Sequence, residues 1–161
     1  MFSPALLAQA EKLLADARAK GLKIVTAESC TGGLIAGLLT EIAGSSDVFE
    51  RGFVTYSNDS KIELLGVSGD LIATHGAVSA EVARAMARGA LERARADLSV
   101  AVTGIAGPGG GTKDKPIGLV HLAAARGEKT IARECRFGDI GRGEVRLRSV
   151  ETALQMLQEM L

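Results

Sequence analysis

The chain has 161 residues, 47% of them hydrophobic, enough for one core but not for two independent ones, so a single domain over residues 1–161 is expected. Nineteen Lys and Arg balance nineteen Asp and Glu, so no net field draws the chain to nucleic acid or to an anionic membrane surface. Met1 to Lys20 lacks the basic start, continuous apolar stretch and cleavage site of a signal peptide, and nowhere do about eighteen apolar residues run together, which predicts a soluble, cytoplasmic protein with no membrane partner.

Ala5 to Lys20 places Leu6, Leu7, Ala10, Leu13, Leu14 and Ala17 at helical spacing, with Ser3 as N-cap, Pro4 in the first position and Gly21 past the end. Leu22 to Thr26 reads as a buried strand, followed by a Leu- and Ala-rich helix over Thr31 to Glu41. Gly52 to Tyr56 is a second strand, Asn58 to Leu65 a short helix stopped by Gly66, and Gly69 to Gly76 a turn segment. Ser79 caps a long helix reaching about Arg95, and Leu98 to Thr103 is the third strand. Past a glycine-rich loop from Gly104 to Pro116, the runs Ile117 to Ala125 and Thr130 to Phe137 flank a turn at Arg126-Gly127-Glu128 and form a hairpin. Glu144 to Leu161 closes the chain as a helix. Interleaved helices and strands predict an α/β fold, a three-layer α/β/α sandwich on a mixed, mainly parallel sheet of about five strands.

Three segments interrupt this pattern: "TAESCTGG", "TYSNDSK" and "TGIAGPGGG" each begin with Thr at the end of a predicted strand. If those strands are parallel, the segments meet at one edge of the sheet, where α/β proteins bind ligands. Ser29 reads either as a helix N-cap or as a nucleophile whose oxyanion is held by the N–H groups of Cys30 to Gly32. No G-x-S-x-G elbow surrounds it and neither His75 nor His121 stands in a triad setting, so Lys61 is the alternative base, provided burial lowers its pKa from about 10.4. Tyr56, the only tyrosine, either packs its ring or has a hydroxyl able to relay a proton or orient Lys61. Cys30 is a rival nucleophile or a small buried residue. Glu28 reads as a charge complementing the helix start or as a partner of Lys61.

The glycine-rich segment matches neither the Walker nor the dinucleotide pattern. Its glycines nonetheless allow backbone N–H groups to approach an anion, with Lys113 and Lys115 adding charge. Near the last helix Arg142, Arg146 and Arg148 either solvate a face or hold a phosphate or carboxylate. Two cysteines, Cys30 and Cys135, have neither metal spacing nor disulfide density, so no metal and no cofactor is expected.

Together "TAESCTGG", "YSNDSK", "VS" at Val78-Ser79, "TGIAGPGGGTKDKPIG" and "FGDIGRGEVR" resemble the CinA C-terminal domain family, whose stand-alone members are nicotinamide-nucleotide amidases. The resemblance covers about Leu6 to Leu161. It implies metal-independent hydrolysis of the carboxamide of nicotinamide mononucleotide to nicotinate mononucleotide and ammonia, with Ser29 as nucleophile and Lys61 and Tyr56 as its catalytic partners. Glu28, Cys30, Thr31, Gly32, Thr103, Gly104, Gly107 and Gly109 are then expected around the substrate, with Arg142 or Arg146 at its phosphate. A homo-oligomer, most simply a dimer, is expected as well. The alternatives are a non-catalytic nucleotide-binding domain and an enzyme dependent on Cys30.

Overall fold

In the computed structural model, which describes residues 1–161, the first helix α1 (Pro4–Ala19) starts where Ser3 Oγ accepts the Leu6 N–H at 3.2 Å. Its buried stripe, Leu6, Ala10, Leu13, Leu14 and Ala17, follows the helical period read from the sequence. Strand β1 (Ile24–Glu28) is buried at all five positions because it pairs on both sides, parallel to β2 (Phe49–Val54) and to β3 (Leu98–Gly104). Strand β4 (Leu119–Arg126) runs antiparallel to β3, and β5 (Lys129–Arg136) antiparallel to β4, giving the order β2-β1-β3-β4-β5. The pairings divide evenly between parallel and antiparallel, yet only β4 opposes the direction of the other strands. The mixed five-stranded α/β sheet is the expected one.

Helices α1, α2 (Leu34–Glu41) and α6 (Arg142–Glu159) cover one face, where Ile24, Leu98, Val100, Val102 and Leu122 meet Leu13, Leu38, Leu39 and Leu157. The opposite face carries α3 (Asn58–Leu65), α4 (Gly69–His75) and α5 (Ala80–Arg93) over Ala27, Ala101, Ala123 and Ala125. Small side chains on that face bring α5 close enough for Ser99 Oγ, on β3, to donate to the Ala87 carbonyl at 2.8 Å. They also let α3 press on α5: a Cβ at Gly89 would stand 2.0 Å from the Leu65 carbonyl oxygen.

Several boundaries differ from expectation. Helix α2 begins at Leu34 rather than Thr31, because Gly32 and Gly33 take positive φ and extend the turn after β1. The segment Gly69 to Gly76 is a helix, not a turn: Ser68 caps it by accepting the Leu71 N–H, but it buries no residue and so carries no apolar period to read. Helix α6 starts at Arg142, two residues before Glu144, which places Arg142 and Arg146 four residues apart on one side of its first turns. No helix is long and apolar enough to cross a membrane.

Candidate active site

Strands β1, β2 and β3 deliver their three polar segments to one edge of the sheet, and a cavity of about 250 Å³ opens there. Ser29, Cys30, Tyr56, Lys61, Thr103, Gly104 and Arg142 line it. Asn58, Ala77, Val78 and Ala106 complete the wall. These four were not singled out in the sequence; Asn58, Val78 and Ala106 stood inside quoted motifs, whereas nothing marked Ala77.

Ser29 continues the β1 ladder, its N–H donating to the Val102 carbonyl at 3.0 Å, so its backbone is fixed by the sheet rather than by a helix cap. Lys61 reaches it from the first turns of α3, where Ser57 accepts the Ser60 N–H and sets the helix start. Lys61 Nζ lies 3.1 Å from Ser29 Oγ and 2.9 Å from the Thr55 carbonyl oxygen. With only 1% of its surface exposed, Lys61 is held below the ordinary lysine pKa by burial. A buried amine that is neutral more often than a free lysine, in contact with a hydroxyl, is the arrangement of a base and its nucleophile.

Tyr56 is 60% exposed, and its hydroxyl accepts a hydrogen bond from Arg142 Nη2 at 2.9 Å. It therefore does not orient Lys61 as the sequence reading allowed; that task falls to the Thr55 carbonyl and Ser29. Arg142 also donates to the Gly107 carbonyl at 2.8 Å, tying the glycine-rich loop to Tyr56 across the mouth of the cavity. Lys115 is turned away from the site, its amine donating to the His75 carbonyl at 2.6 Å.

Glu28 takes the helix-start reading, which corrects its expected place beside the substrate or Lys61. Its carboxylate accepts from the N–H groups of Gly33 at 3.1 Å, Ile35 at 3.0 Å and Ala36 at 2.8 Å, caps α2 from below, and faces neither the cavity nor Lys61. The positive end of α2 is thus spent on Glu28 and is not offered to an oxyanion. Among the N–H groups expected to serve there, that of Gly32 is also committed, to the Ser29 carbonyl at 2.9 Å. Thr31, Gly32, Gly107 and Gly109 are absent from the cavity wall, Gly109 because its stretch of loop stands out in solvent.

Burial pushes the Cys30 thiol up to about 12, which removes the thiolate that a cysteine nucleophile needs. Arg146 also misses the cavity: its Nε donates to the Cys30 carbonyl at 3.1 Å and its Nη2 to the Thr31 carbonyl at 3.0 Å. No three His, Cys, Asp or Glu side chains are grouped to hold a metal ion.

The profile of the "CinA C-terminal domain" family matches residues 7–161. The chain belongs to the CinA C-terminal domain family. It is 53% identical over 142 residues to the nicotinamide-nucleotide amidohydrolase PncC of Escherichia coli K12, spanning 87% of this chain and 85% of that protein. A CinA-like protein of Geobacter sulfurreducens is 53% identical over 144 residues, which are 89% of this chain but 35% of the longer relative. Among solved structures, the competence/damage inducible protein CihA of Agrobacterium tumefaciens superposes with a TM-score of 0.97 at 55% identity, over 99% of this chain and 97% of that one. A CinA superfamily protein of Escherichia coli gives 0.93 at 33% identity, over 100% and 94%.

Proposed function

We propose that this member of the family is a nicotinamide-nucleotide amidohydrolase, converting nicotinamide mononucleotide and water to nicotinate mononucleotide and ammonia in cytoplasmic pyridine-nucleotide recycling. The observation that carries the reading is the contact between Ser29 Oγ and the buried Lys61 Nζ at 3.1 Å, in a chain 53% identical to a relative with that named activity. Neutral Lys61 takes the Ser29 proton as Oγ attacks the carboxamide carbon, and the carbonyl oxygen gains the negative charge. Lys61 then returns the proton to the departing nitrogen, ammonia leaves, and a nicotinoyl ester remains on Ser29. Water, deprotonated by the same amine, attacks the ester and restores the serine hydroxyl. Arg142, at the mouth and half committed to Tyr56, is the cation for the substrate phosphate. Assembly into a homo-oligomer belongs to the same reading, with exposed Val54, Ile62 and Leu64 offering apolar surface for it.

The test is ammonia release from nicotinamide mononucleotide between pH 6 and 10 in the presence of chelator, with Ser29→Ala alongside. Release that survives chelation and vanishes in the variant is expected. A well-folded wild type that binds the nucleotide without releasing ammonia would make this a binding domain instead.

A further inference from the structure

We infer that the backbone N–H of Gly104 is the second donor of the oxyanion site, paired with the N–H of Cys30, which makes Gly104 a catalytic residue. This rests on the serine amidase reading and adds to it the groups that meet the charge on the carboxamide oxygen.

Two residues of the cavity wall keep an N–H unspent. Around the turn after β1 the N–H groups of Ser29, Gly32, Gly33, Ile35 and Ala36 are all bonded within the chain, and Thr31 stands off the wall. The N–H of Cys30 donates to no other residue, and neither does that of Gly104, although both residues line the cavity. N–H groups withdrawn from water without an acceptor are uncommon and need a reason.

For Gly104 the sheet supplies that reason. Glu28 lies opposite Val102 in the parallel pairing of β1 with β3, and the Ser29 N–H donates to the Val102 carbonyl at 3.0 Å. The next rung of such a ladder runs from the Gly104 N–H to the Ser29 carbonyl. That rung is missing. Strand β1 leaves the sheet in a turn with positive φ at Gly32 and Gly33, and the Ser29 carbonyl accepts the Gly32 N–H at 2.9 Å instead. Strand β4 offers no substitute: the Ile105 N–H donates across to the Leu119 carbonyl at 2.9 Å, so the Gly104 N–H, one residue earlier, faces the β1 side. It points into the gap that β1 vacates, one residue beyond the strand neighbour of Ser29, and neighbouring strands lie only about 4.8 Å apart.

The bond that takes the Ser29 carbonyl from Gly104 also sets the other donor. The Ser29–Cys30 peptide is trans, so with its carbonyl held by Gly32 the Cys30 N–H is directed to the opposite side. Both donors are fixed by backbone hydrogen bonds before charge develops, as an oxyanion site requires. The acceptor missing from the ladder is a carbonyl oxygen, and the carboxamide oxygen of a substrate attacked by Ser29 Oγ takes its place. Glycine at 104 is part of the arrangement. A Cβ there would stand 2.8 Å from Val120 Cγ2 and 3.0 Å from the Leu119 carbonyl oxygen, so a side chain would push the strand end, and its N–H, out of place.

The experiment replaces the Thr103–Gly104 amide by an ester, with glycolic acid at position 104, and measures steady-state ammonia release and thermal unfolding. The same amide-to-ester exchange at Ile105 is the control, because that N–H is spent on β4. A further readout is affinity for the nucleotide analogue with a formyl group in place of the carboxamide. Ser29 Oγ bonds the aldehyde carbon, the C=O π pair moves onto the aldehyde oxygen, and the serine proton passes to Lys61, so adduct strength reports the oxyanion site.

Removing one oxyanion donor costs about 100- to 1,000-fold in kcat. The ester at 104 should lose that much with KM within about threefold, weaken the aldehyde adduct in parallel, leave the pH profile unmoved and unfold near the wild-type temperature. The ester at 105 should do the reverse, unfolding earlier with kcat within about threefold. Gly104→Ala decides the matter if the ester at 104 does not fold. It displaces the donor without removing it, so kcat and adduct affinity should fall together by about tenfold, and Val120→Ala beside it, which removes the nearest clash, should recover part of both. The inference is overturned by loss of turnover without loss of adduct affinity, by a rise in KM at unchanged kcat, or by an ester at 105 as slow as the one at 104. It is overturned alone if wild type turns over and the ester at 104, or Gly104→Ala in its place, matches it. It falls together with the amidase reading if wild type releases no ammonia.

Discussion

Glu28 at the end of β1 and Lys61 on the first turns of α3 are both withdrawn from water at the same edge of the sheet, on either side of Ser29. Their surroundings treat the charge in opposite ways. Glu28 is met by three backbone N–H groups, so its carboxylate exchanges hydration for fixed donors and holds a helix start in place. Lys61 has one carbonyl at good distance, one serine hydroxyl, and longer approaches of 3.5 Å to the Tyr56 and Ser57 carbonyls. Burial there disfavours the ammonium instead of compensating it. A satisfied buried charge builds the fold; an undersatisfied one is available for proton transfer.

Replacing Lys61 tests that contrast most severely. Lys61→Met should lower kcat on the order of 1,000-fold, within the range for loss of a general base. The same substitution should raise stability by about 0.5–2 kcal/mol, since an apolar chain fills the site without desolvating a charge. The sign with pH follows from the lowered pKa. The unfolded chain keeps the Lys61 proton up to about pH 10.4, whereas the folded protein releases it at lower pH. Between those two points the unfolded state binds more protons, so wild-type stability rises with pH. The stability gap between variant and wild type is therefore full below the folded pKa and closes toward about pH 10.4. Activity of wild type should climb over the same interval as the amine becomes neutral. Thermal unfolding at several pH values, beside the rate profile, checks both; a variant less stable than wild type would show that the amine is a structural tie.

Glu28→Ala should do the reverse, acting first on stability. Three N–H groups would lose their acceptor at once, which costs on the order of 3–5 kcal/mol and lowers the unfolding temperature by roughly 10 °C for a chain of this size. Glu28→Gln keeps one acceptor oxygen and should lose less. Urea unfolding of both variants reads the effect. A Glu28→Ala protein as stable as wild type but without turnover would move Glu28 into the substrate site and erase the contrast.

How much of this could be read in the sequence depends on the range of the interaction involved. Ser3 and Ser79 announced their helices because a cap acts within one turn, and the apolar period gave α1, α5 and the hairpin. The convergence of Ser29, Lys61 and Thr103 followed from strand order alone, since parallel neighbours must end at one edge. What stayed hidden depends on directions that a sequence does not carry. In "TAESCTGG" the helix start was one of two readings open for Glu28, and the choice stayed open because alternation along β1 assigns its face only once the layers are known. Nothing in "GRGEVR" tells Arg142 from Arg146, because both fall on one side of α6 and differ in the partner each reaches, the Tyr56 hydroxyl for one and the Cys30 carbonyl for the other. The helix α4 escaped for a plainer reason, having no buried side chain to show a period.

Cys30 offers the smallest effect and the finest division between neighbours. It lies next to Ser29, lines the same cavity and is a better intrinsic nucleophile than any hydroxyl. Against that, burial raises its thiol pKa to about 12, so the thiol stays protonated at pH 8. Cys30→Ala should keep kcat and KM within about threefold and cost about 1 kcal/mol of stability from the small void. Iodoacetamide at pH 8 should leave turnover intact, since burial raises the half-buried Cys135 thiol as well. Loss of turnover in Cys30→Ala would mean that the thiol, not the Ser29 hydroxyl, meets the carboxamide, and Lys61 would then serve to deprotonate sulfur. Retention leaves the hydroxyl that Lys61 touches as the nucleophile.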